Sequence, residues 1–405
     1  MSADEQRIDE LVVEAGRVFN PNTPINEKDL FAGRTQQIIR VLDVINERGQ
    51  HAILYGERGV GKTSLANVLS QFLSTPTEVV APRVACDQGD TFDSVWRKLF
   101  DKVELIRATP VVGFQAVPKP ASYSSAELLG DQAATPGSVN RALHIMGRDV
   151  APILIIDEFD RLPADVRHAF ADTVKGLSDD DVPATVVLVG VGDSADRLVR
   201  DHQSVGRSLI QIEIQRMSPA EIRQIIEKGL VALDMTISED ALERIVLLAQ
   251  GLPHYAHLIG RHAARAVLSR RELRVTADDI TTAIEKGIED AQQTIRTAYH
   301  YALISPRKDN LFGDVLLACA LAEVDGRGTF AAQDVRTPLR SITGKNYDIP
   351  TFAQHLNEFS DDKRGRILHK LGEKRRYRFR FADPLMQPYV IMQGVIANKV
   401  PAALR

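Results

Sequence analysis

Residues 56–64 form a segment whose residue types bind phosphate. Gly56, Gly61, Lys62 and Thr63 complete the pattern GxxxxGK[ST]. Glycines let successive backbone N–H groups curl around a phosphate, and the amino end of a following helix adds its dipole. In such a loop the lysine reaches the β- and γ-phosphates and the hydroxyl binds Mg²⁺. The predicted phosphate-binding residues are Gly56, Glu57, Arg58, Gly59, Val60, Gly61, Lys62, Thr63 and Ser64.

A pair of acids follows the apolar run 152–156. Asp157 and Glu158 would lie at the carboxyl end of a buried strand, in the crevice where open parallel sheets bind ligands. We predict that Asp157 holds Mg²⁺ through water and that Glu158 polarises the attacking water. With Lys62, Glu158 is therefore a predicted catalytic residue of a nucleoside triphosphatase. The chain has neither an NKxD guanine-reading tetrapeptide nor an LSGGQ-like signature, which favours ATP as the nucleotide.

The elements around these residues alternate between strands and helices. A strand, a glycine loop and a helix in that order indicate a parallel α/β sheet. A composition shift to Pro, Ser, Ala and Gly over 108–136 predicts a long surface insertion. The predicted strands are 51–55, 79–85, 152–156, 185–190 and 209–214, and the predicted helices are 36–48, 64–73 and 96–106.

Strands give way to helices after residue 217. Ser218–Glu221 has the spacing of a capping box with proline in the first helical position, and 276–279 has a second one. Four helices are predicted there, over 219–233, 238–250, 253–269 and 276–290. The tail has helical patterns near 311–323, 331–341 and 350–359, and then a basic strand-like segment. Such an order is typical of a winged helix.

Together these patterns predict four parts of an α/β chain. They are an N-terminal segment 1–35, an α/β core 36–216, an all-helical lid 217–300 and a winged-helix-like domain 301–405. Composition agrees with a globular protein, since 44% of residues are apolar, 26% are charged and the net charge is -4. Cys86 and Cys319 lack metal-binding spacing, and we expect a cytoplasmic protein without a membrane span.

The sequence resembles the AAA+ ATPases. Within them it is most similar to the origin-recognition initiators and to STAND and bacterial transposition or defence ATPases. The resemblance covers about residues 15–290 and implies a three-layer P-loop core with a helical lid. It is carried, besides the phosphate loop, by residues 30–34, 157–162, 190–194, 202–207 and 251–253.

This resemblance implies further roles at the nucleotide. Val18 and Phe19, with Phe31 in the strip 30–33, would pack on the adenine, although the first two could equally form a hydrophobic staple. Asp193, or its neighbour Ser194, stands where relatives place a polar sensor of the γ-phosphate. An aspartate there could instead cap a turn.

Three more positions follow from the same resemblance. Arg207 stands where relatives place an arginine finger that reaches a neighbour's nucleotide, with Arg200 as its competitor. Pro253 matches the STAND Gly-x-Pro whose proline approaches the base. His254 occupies the place of a sensor arginine, and Arg261 is the alternative.

The segment 361–380 concentrates positive charge. It carries nine basic and three acidic side chains, and arginines alternate with aromatic residues over 376–381. A wing hairpin of this kind could lie along DNA phosphates, with Lys374, Arg375, Arg376 and Arg378 as contacts. A solvated face that meets an acidic partner is the alternative.

The sequence therefore predicts an ATP-hydrolysing switch that needs ATP and Mg²⁺. We expect ATP-dependent assembly, as a homo-oligomer or hetero-oligomer, and an output that binds or remodels DNA. The alternative is a STAND-type regulatory or defence ATPase that acts on an effector protein. A metabolic kinase is disfavoured because no acceptor-substrate pocket can be discerned.

Overall fold

A parallel sheet forms the centre of the first half of the chain. The computed structural model describes residues 3–21, 33–75, 78–107, 121–191, 205–305, 310–373, 376–401 and 404. Six strands form the sheet in the order β2-β6-β7-β1-β8, with β3 also pairing to β6, while β4 and β5 form a separate antiparallel hairpin. The strands are β1 (His51–Gly56), β2 (Val79–Val80), β3 (Arg83–Ala85), β4 (Glu104–Arg107), β5 (Ala121–Ser124), β6 (Ala151–Asp157), β7 (Thr185–Val191) and β8 (Leu209–Glu213).

Successive side chains along each strand point to opposite faces of the sheet, and this divides the buried side chains into two cores. Leu54, Ile155 and Val187 face one core, whereas Ile53 and Leu154 face the other. Successive strand residues point to opposite faces, so a sheet covered on both sides reads as an unbroken apolar run. This confirms the interpretation of the run 152–156 and gives a three-layer α/β fold.

Helices cover the two faces. They are α1 (Ala3–Val18), α2 (Thr35–Asn46), α3 (Lys62–Leu73), α4 (Phe92–Phe100), α5 (Pro136–Met146) and α6 (Ala164–Asp179). Two expectations were wrong in part. Residues 104–106, the end of the expected helix 96–106, belong to β4, and 121–129 of the expected insertion form β5 and a short 3₁₀ helix.

Four helices follow the sheet, as the sequence predicts, and we call residues 217–290 the lid. Glu221 accepts a hydrogen bond from the backbone N–H of Ser218 (2.8 Å), which confirms the capping box. Asp279 does the same for Thr276 (2.9 Å). The helices are α7 (Pro219–Ala232), α8 (Glu239–Ala249), α9 (Pro253–Ser269) and α10 (Ala277–Glu289), joined by the small parallel pair β9 (Thr236–Ile237) and β10 (Arg274–Val275).

Residues 310–401, here called the C-terminal unit, combine helices with a three-stranded antiparallel sheet of order β11-β13-β12. This is the order of elements that the winged-helix interpretation requires. The last helix was missed, because its residues are buried on every side and show no periodicity. The elements from residue 293 onward are α11 (Gln293–Leu303), α12 (Phe312–Ala320), β11 (Phe330–Ala331), α13 (Arg336–Thr343), α14 (Ile349–Phe359), β12 (Leu368–Leu371), β13 (Arg378–Phe381) and α15 (Met386–Ile396). No helix within the described ranges is long and apolar enough to cross a membrane.

Candidate functional site

Two glycines shape the loop between β1 and α3. Gly59 and Gly61 have φ angles of 83° and 92°, in the left-handed region that glycine adopts without steric cost. Lys62 then begins α3 directly after Gly61. The loop therefore turns sharply and places the amino end of a helix at the edge of the sheet, as a phosphate site requires.

The Lys62 ammonium is folded back onto this loop. Its Nζ donates to the carbonyl oxygens of Gly56 (3.0 Å) and Glu57 (2.7 Å). Burial lowers the pKa of Lys62 to about 8, against the opposing effect of the Asp160 and Asp157 carboxylates. A desolvated cation that lies beside backbone dipoles is well placed to bind an anion.

Asp157 ends β6 and is almost fully buried. One carboxylate oxygen accepts a hydrogen bond from Arg83 Nη2 (2.6 Å), and the other accepts one from the Glu158 backbone N–H (2.8 Å). Arg83 belongs to β3, which pairs with β6. Sequence reasoning missed this ion pair, because only the strand pairing brings the two residues together. Each oxygen retains a lone pair for a water or an ion.

Glu158 leaves the strand in a left-handed conformation, with φ 54° and ψ 33°. A non-glycine residue rarely adopts this conformation, which is more frequent at functional sites. Its carboxylate accepts a hydrogen bond from Arg161 Nη1 (2.8 Å). The turn thus separates the side chain of Glu158 from that of Asp157 while both line one cavity.

A cavity of about 530 Å³ brings the predicted groups together. Lys62, Thr63, Asp157 and Glu158 all line it, from elements that leave the same edge of the sheet. Hydroxyl and carboxylate oxygens are the donors that Mg²⁺ prefers. Thr63 and Asp157 therefore fit this ion and would hold it, with Asp157 acting through water.

The remaining loop residues divide between two roles. Arg58, Gly59, Gly61 and Ser64 also line the cavity. The other three serve the loop itself. The carbonyls of Gly56 and Glu57 accept hydrogen bonds from Lys62, and Val60 is buried beneath the loop.

The opposite wall comes from the lid and from the residues after α1. Its lining residues are Asn20, Pro21, Met217, Ile225, Pro253, His254 and His257. Val18 and Phe19 are not among them, so their assignment to adenine packing requires correction. Phe19 is fully buried between lid helices, where a Cβ at Gly229 would lie 2.3 Å from its ring. Its neighbours Asn20 and Pro21 line the cavity instead, and Phe31 lies outside the described residues.

Pro253 and His254 both line the cavity. A Cβ at Gly61 would lie 3.5 Å from Pro253 Cγ, which puts this proline against the phosphate loop. The His254 ring lines the cavity with Nδ1 2.8 Å from the Pro21 carbonyl oxygen. Arg261 points elsewhere, since it pairs with Asp290 (3.0 Å) and does not line the cavity. His254 is therefore the better placed of the two sensor candidates.

Comparison with known proteins identifies the family. The sequence profile described as Novel STAND NTPase 1 matches residues 24–358, which is most of the chain. The chain belongs to this family. The match confirms the resemblance to STAND ATPases and shows that this is a P-loop NTPase. None of the curated proteins compared with this STAND NTPase matches it.

Two solved structures are similar to this chain. The Walker-type ATPase of Pyrococcus abyssi has a TM-score of 0.52 at 15% identity, over 92% of this chain and 99% of that chain. The ORC2 protein of Aeropyrum pernix, in ADPNP and ADP complexes, has a TM-score of 0.49 at 15% identity, over 94% and 98%. At such low identity, the likeness concerns the fold alone.

Three predicted residues of this NTPase lie away from the cavity or outside the described ranges. Asp193 and Ser194 fall within 192–204, which is not described. Arg207 is exposed and immediately precedes β8, whose Leu209 pairs with His51 at the start of β1. Arg207 therefore lies near the start of β1, whereas the phosphate loop follows the end of β1. The five residues of strand between these two ends span about 16 Å.

The C-terminal unit of the NTPase reaches the phosphate loop. Leu385 lines the cavity, and a Cβ at Gly59 would lie 3.0 Å from its side chain. Arg58 pairs with Asp383 (3.2 Å). Beneath the loop, Glu57 pairs with Arg216 (2.9 Å), which itself donates to Gln387 (2.6 Å). No motif marks these contacts, and only the fold brings residues this far apart together.

The basic tail is partly neutralised within the NTPase. Phe379 is buried, as the alternating pattern predicts. Arg378 donates to Thr329 and pairs with Asp325 (3.2 Å) while 43% of its side chain stays exposed, so its assignment to DNA stays a prediction. Arg376 is exposed. Lys374 and Arg375 lie outside the described residues.

The lowered pKa of Lys62 predicts how nucleotide binding depends on pH. Lys62 is charged below about pH 8 and loses its proton above it. Since a triphosphate favours the charged form, affinity should be flat up to about pH 7.5 and then fall, by up to about tenfold per pH unit. Calorimetric titration with nucleotide between pH 6.5 and 9.5 measures this. The Lys62→Ala variant should bind nucleotide weakly at every pH, and its affinity should not decrease above pH 7.5. An equal fall in both proteins would contradict the role of Lys62.

Proposed function

We propose that this NTPase binds ATP with Mg²⁺, hydrolyses it and uses the nucleotide state as a switch. The proposal is supported above all by one observation. Lys62 and Thr63 from the loop, and Asp157 and Glu158 from β6, line a single cavity. These are the groups that phosphoryl transfer to water needs: a cation at the phosphates, oxygen ligands for a divalent ion and a base for the water.

Each side chain has a definite task in this mechanism. Lys62 leaves its two backbone carbonyls and neutralises the terminal phosphates. Bound Mg²⁺ supplies further charge neutralisation. Glu158 accepts a proton from the attacking water, which adds to the terminal phosphorus as ADP departs. Arg161 holds the Glu158 carboxylate in the free protein, so the pair must loosen or admit the water between its members.

Two substitutions test the proposed hydrolysis. Lys62→Ala should weaken ATP binding severely, since it removes the cation at the phosphates. Glu158→Gln should bind ATP with unchanged affinity and turn it over at least 100-fold more slowly, because the amide cannot accept the proton. Calorimetry and phosphate release measure the two quantities.

Glu285→Gln is the matched control for the charge change, since Glu285 is exposed on α10. It should hydrolyse ATP at the wild-type rate. If Glu158→Gln also does so, Glu158 is not the base.

We further propose that the C-terminal unit responds to the nucleotide. Leu385 borders the cavity, and the Arg58–Asp383 pair ties this unit to the phosphate loop. Arg58 also lines the cavity, so a triphosphate competes with Asp383 for its guanidinium. ATP would thereby loosen the C-terminal unit and allow assembly, as a homo-oligomer or with another protein.

Arg207 is the proposed contact between assembled copies. Its exposed position, about one strand length from its own loop, suits a role on a neighbouring molecule. Arg207→Ala should therefore bind ATP normally and lose most hydrolysis.

Mixing provides the decisive measurement for Arg207. Glu158→Gln binds ATP and retains Arg207 but does not hydrolyse, so adding it to Arg207→Ala should restore hydrolysis in mixed assemblies. Phosphate release is followed against the mixing ratio. If the mixture is no more active than its parts, and activity per molecule does not depend on concentration, each site is complete within one chain.

The proposed output is DNA binding through the basic tail. Lys363, Lys370 and Arg376 are exposed there, although Lys370 lies over the Tyr377 ring (3.9 Å). Nothing in the tail pairs side chains at a spacing that identifies a base, so contacts would be to the backbone. The alternative output is an effector protein, which the internal pairing of Arg378 and the STAND family favour.

Salt dependence distinguishes these outputs. Arg375→Glu with Arg376→Glu should weaken binding of a labelled duplex and flatten its salt dependence by about one unit per lost contact. The measurement is fluorescence anisotropy over a salt series with ATP present. Arg48→Glu with Arg141→Glu, both exposed on the core, is the matched control. If the wild-type protein does not bind DNA even at low salt, the proposal of DNA binding is wrong and the effector-protein alternative replaces it.

A further inference from the structure

His257 is a buried polar side chain on the lid wall of the cavity. It lies on α9, is 6% exposed and lines the cavity. Neither ring nitrogen has a hydrogen-bond partner within the part of the chain that the structure describes. Buried polar groups in native proteins are nearly always paired, and an exception calls for an explanation.

The ring is suited to a neutral ligand. Burial lowers the pKa of His257 to about 4, so the imidazole is neutral at physiological pH. A neutral imidazole has one nitrogen that donates a hydrogen bond and one that accepts. Its ring packs near Phe19, whose centroid lies 6.1 Å away in an edge arrangement. His257 lines the cavity, so a ligand bound there can supply the missing partner.

The position of His257 on α9 places its ring at a known distance along the helix from the phosphate loop. Pro253, one helical turn earlier, approaches the loop at Gly61, and His257 lies about 6 Å further along the helix. Met217 and Ile225 line the same wall. The wall therefore offers apolar surface and one unsatisfied polar ring, which complements a flat aromatic base with apolar faces and a polar edge.

We propose that His257 hydrogen-bonds the edge of the nucleotide base and so determines that a nucleotide, and not a bare polyphosphate, fills the cavity. This inference rests on the proposed ATP site. In ATP the 6-amino group of adenine donates to the acceptor nitrogen of His257. The contact would satisfy a group that is otherwise buried without a partner, and the lid helix α9 would carry it.

His257→Phe tests the contact, because it keeps a ring beside Phe19 and removes both nitrogens. The variant should bind ATP about tenfold more weakly and tripolyphosphate with unchanged affinity. His257→Gln, which restores a donor and an acceptor, should recover part of the loss. His262→Phe is the matched control, since His262 lies on the same helix outside the cavity lining and pairs with Asp290 (3.1 Å). Calorimetry with each ligand measures the affinities, and circular dichroism checks folding.

A measurement on the wild-type protein does not depend on the variants folding. With ¹⁵N-labelled histidine, ATP should shift the ring nitrogen signals of one buried neutral imidazole, and tripolyphosphate should leave them in place. If both ligands weaken equally in His257→Phe, or if ATP binds it as well as wild type, the proposal is wrong. If wild type binds neither ligand, the nucleotide site itself has failed.

Discussion

Much of the site depends on one buried guanidinium, that of Arg34. Its Nη2 donates to the carbonyl oxygens of Val60 (2.8 Å) and Gln215 (2.6 Å), and its backbone N–H donates to Glu221 (2.9 Å). Only 3% of the residue is exposed. It thereby ties together the phosphate loop, the chain that leaves β8 and the first helix of the lid. A charge buried this deeply must be satisfied on several sides, which restricts the relative positions of all three.

Glu221 extends this constraint into the lid. The same carboxylate caps α7 through Ser218 and receives the backbone of Arg34. The start of the lid is therefore specified together with the loop that it covers. The cavity lies at this junction, and Arg34 is among its lining residues. Residues far apart in the chain, such as Lys62 and Leu385, line this one cavity.

The sequence alone predicted those features whose physical causes are local. Loop glycines, a capping box and unbroken apolar strands each leave a pattern within a few residues, and the structure has all three. Contacts set by the fold leave no such pattern. The pairing of Arg83 with Asp157 depends on how β3 meets β6. For Phe19 the sequence predicted a contact with adenine, but the residue does not line the cavity. The residue is instead buried against Gly229, and no pattern among its neighbours in the sequence indicates this packing.

The contact of Leu385 with the phosphate loop also bears on how the protein is made. Arg58 and its partner Asp383 are 325 positions apart in the chain. Domains fold from the amino end as they leave the ribosome, so the loop, the sheet and most of the lid are present well before Leu385 is added. During that interval the C-terminal unit does not yet border the phosphate loop. Nucleotide can therefore reach the nascent chain before the C-terminal unit borders the cavity. The order of synthesis thus lets the phosphate loop contact nucleotide before it contacts Leu385 and Asp383.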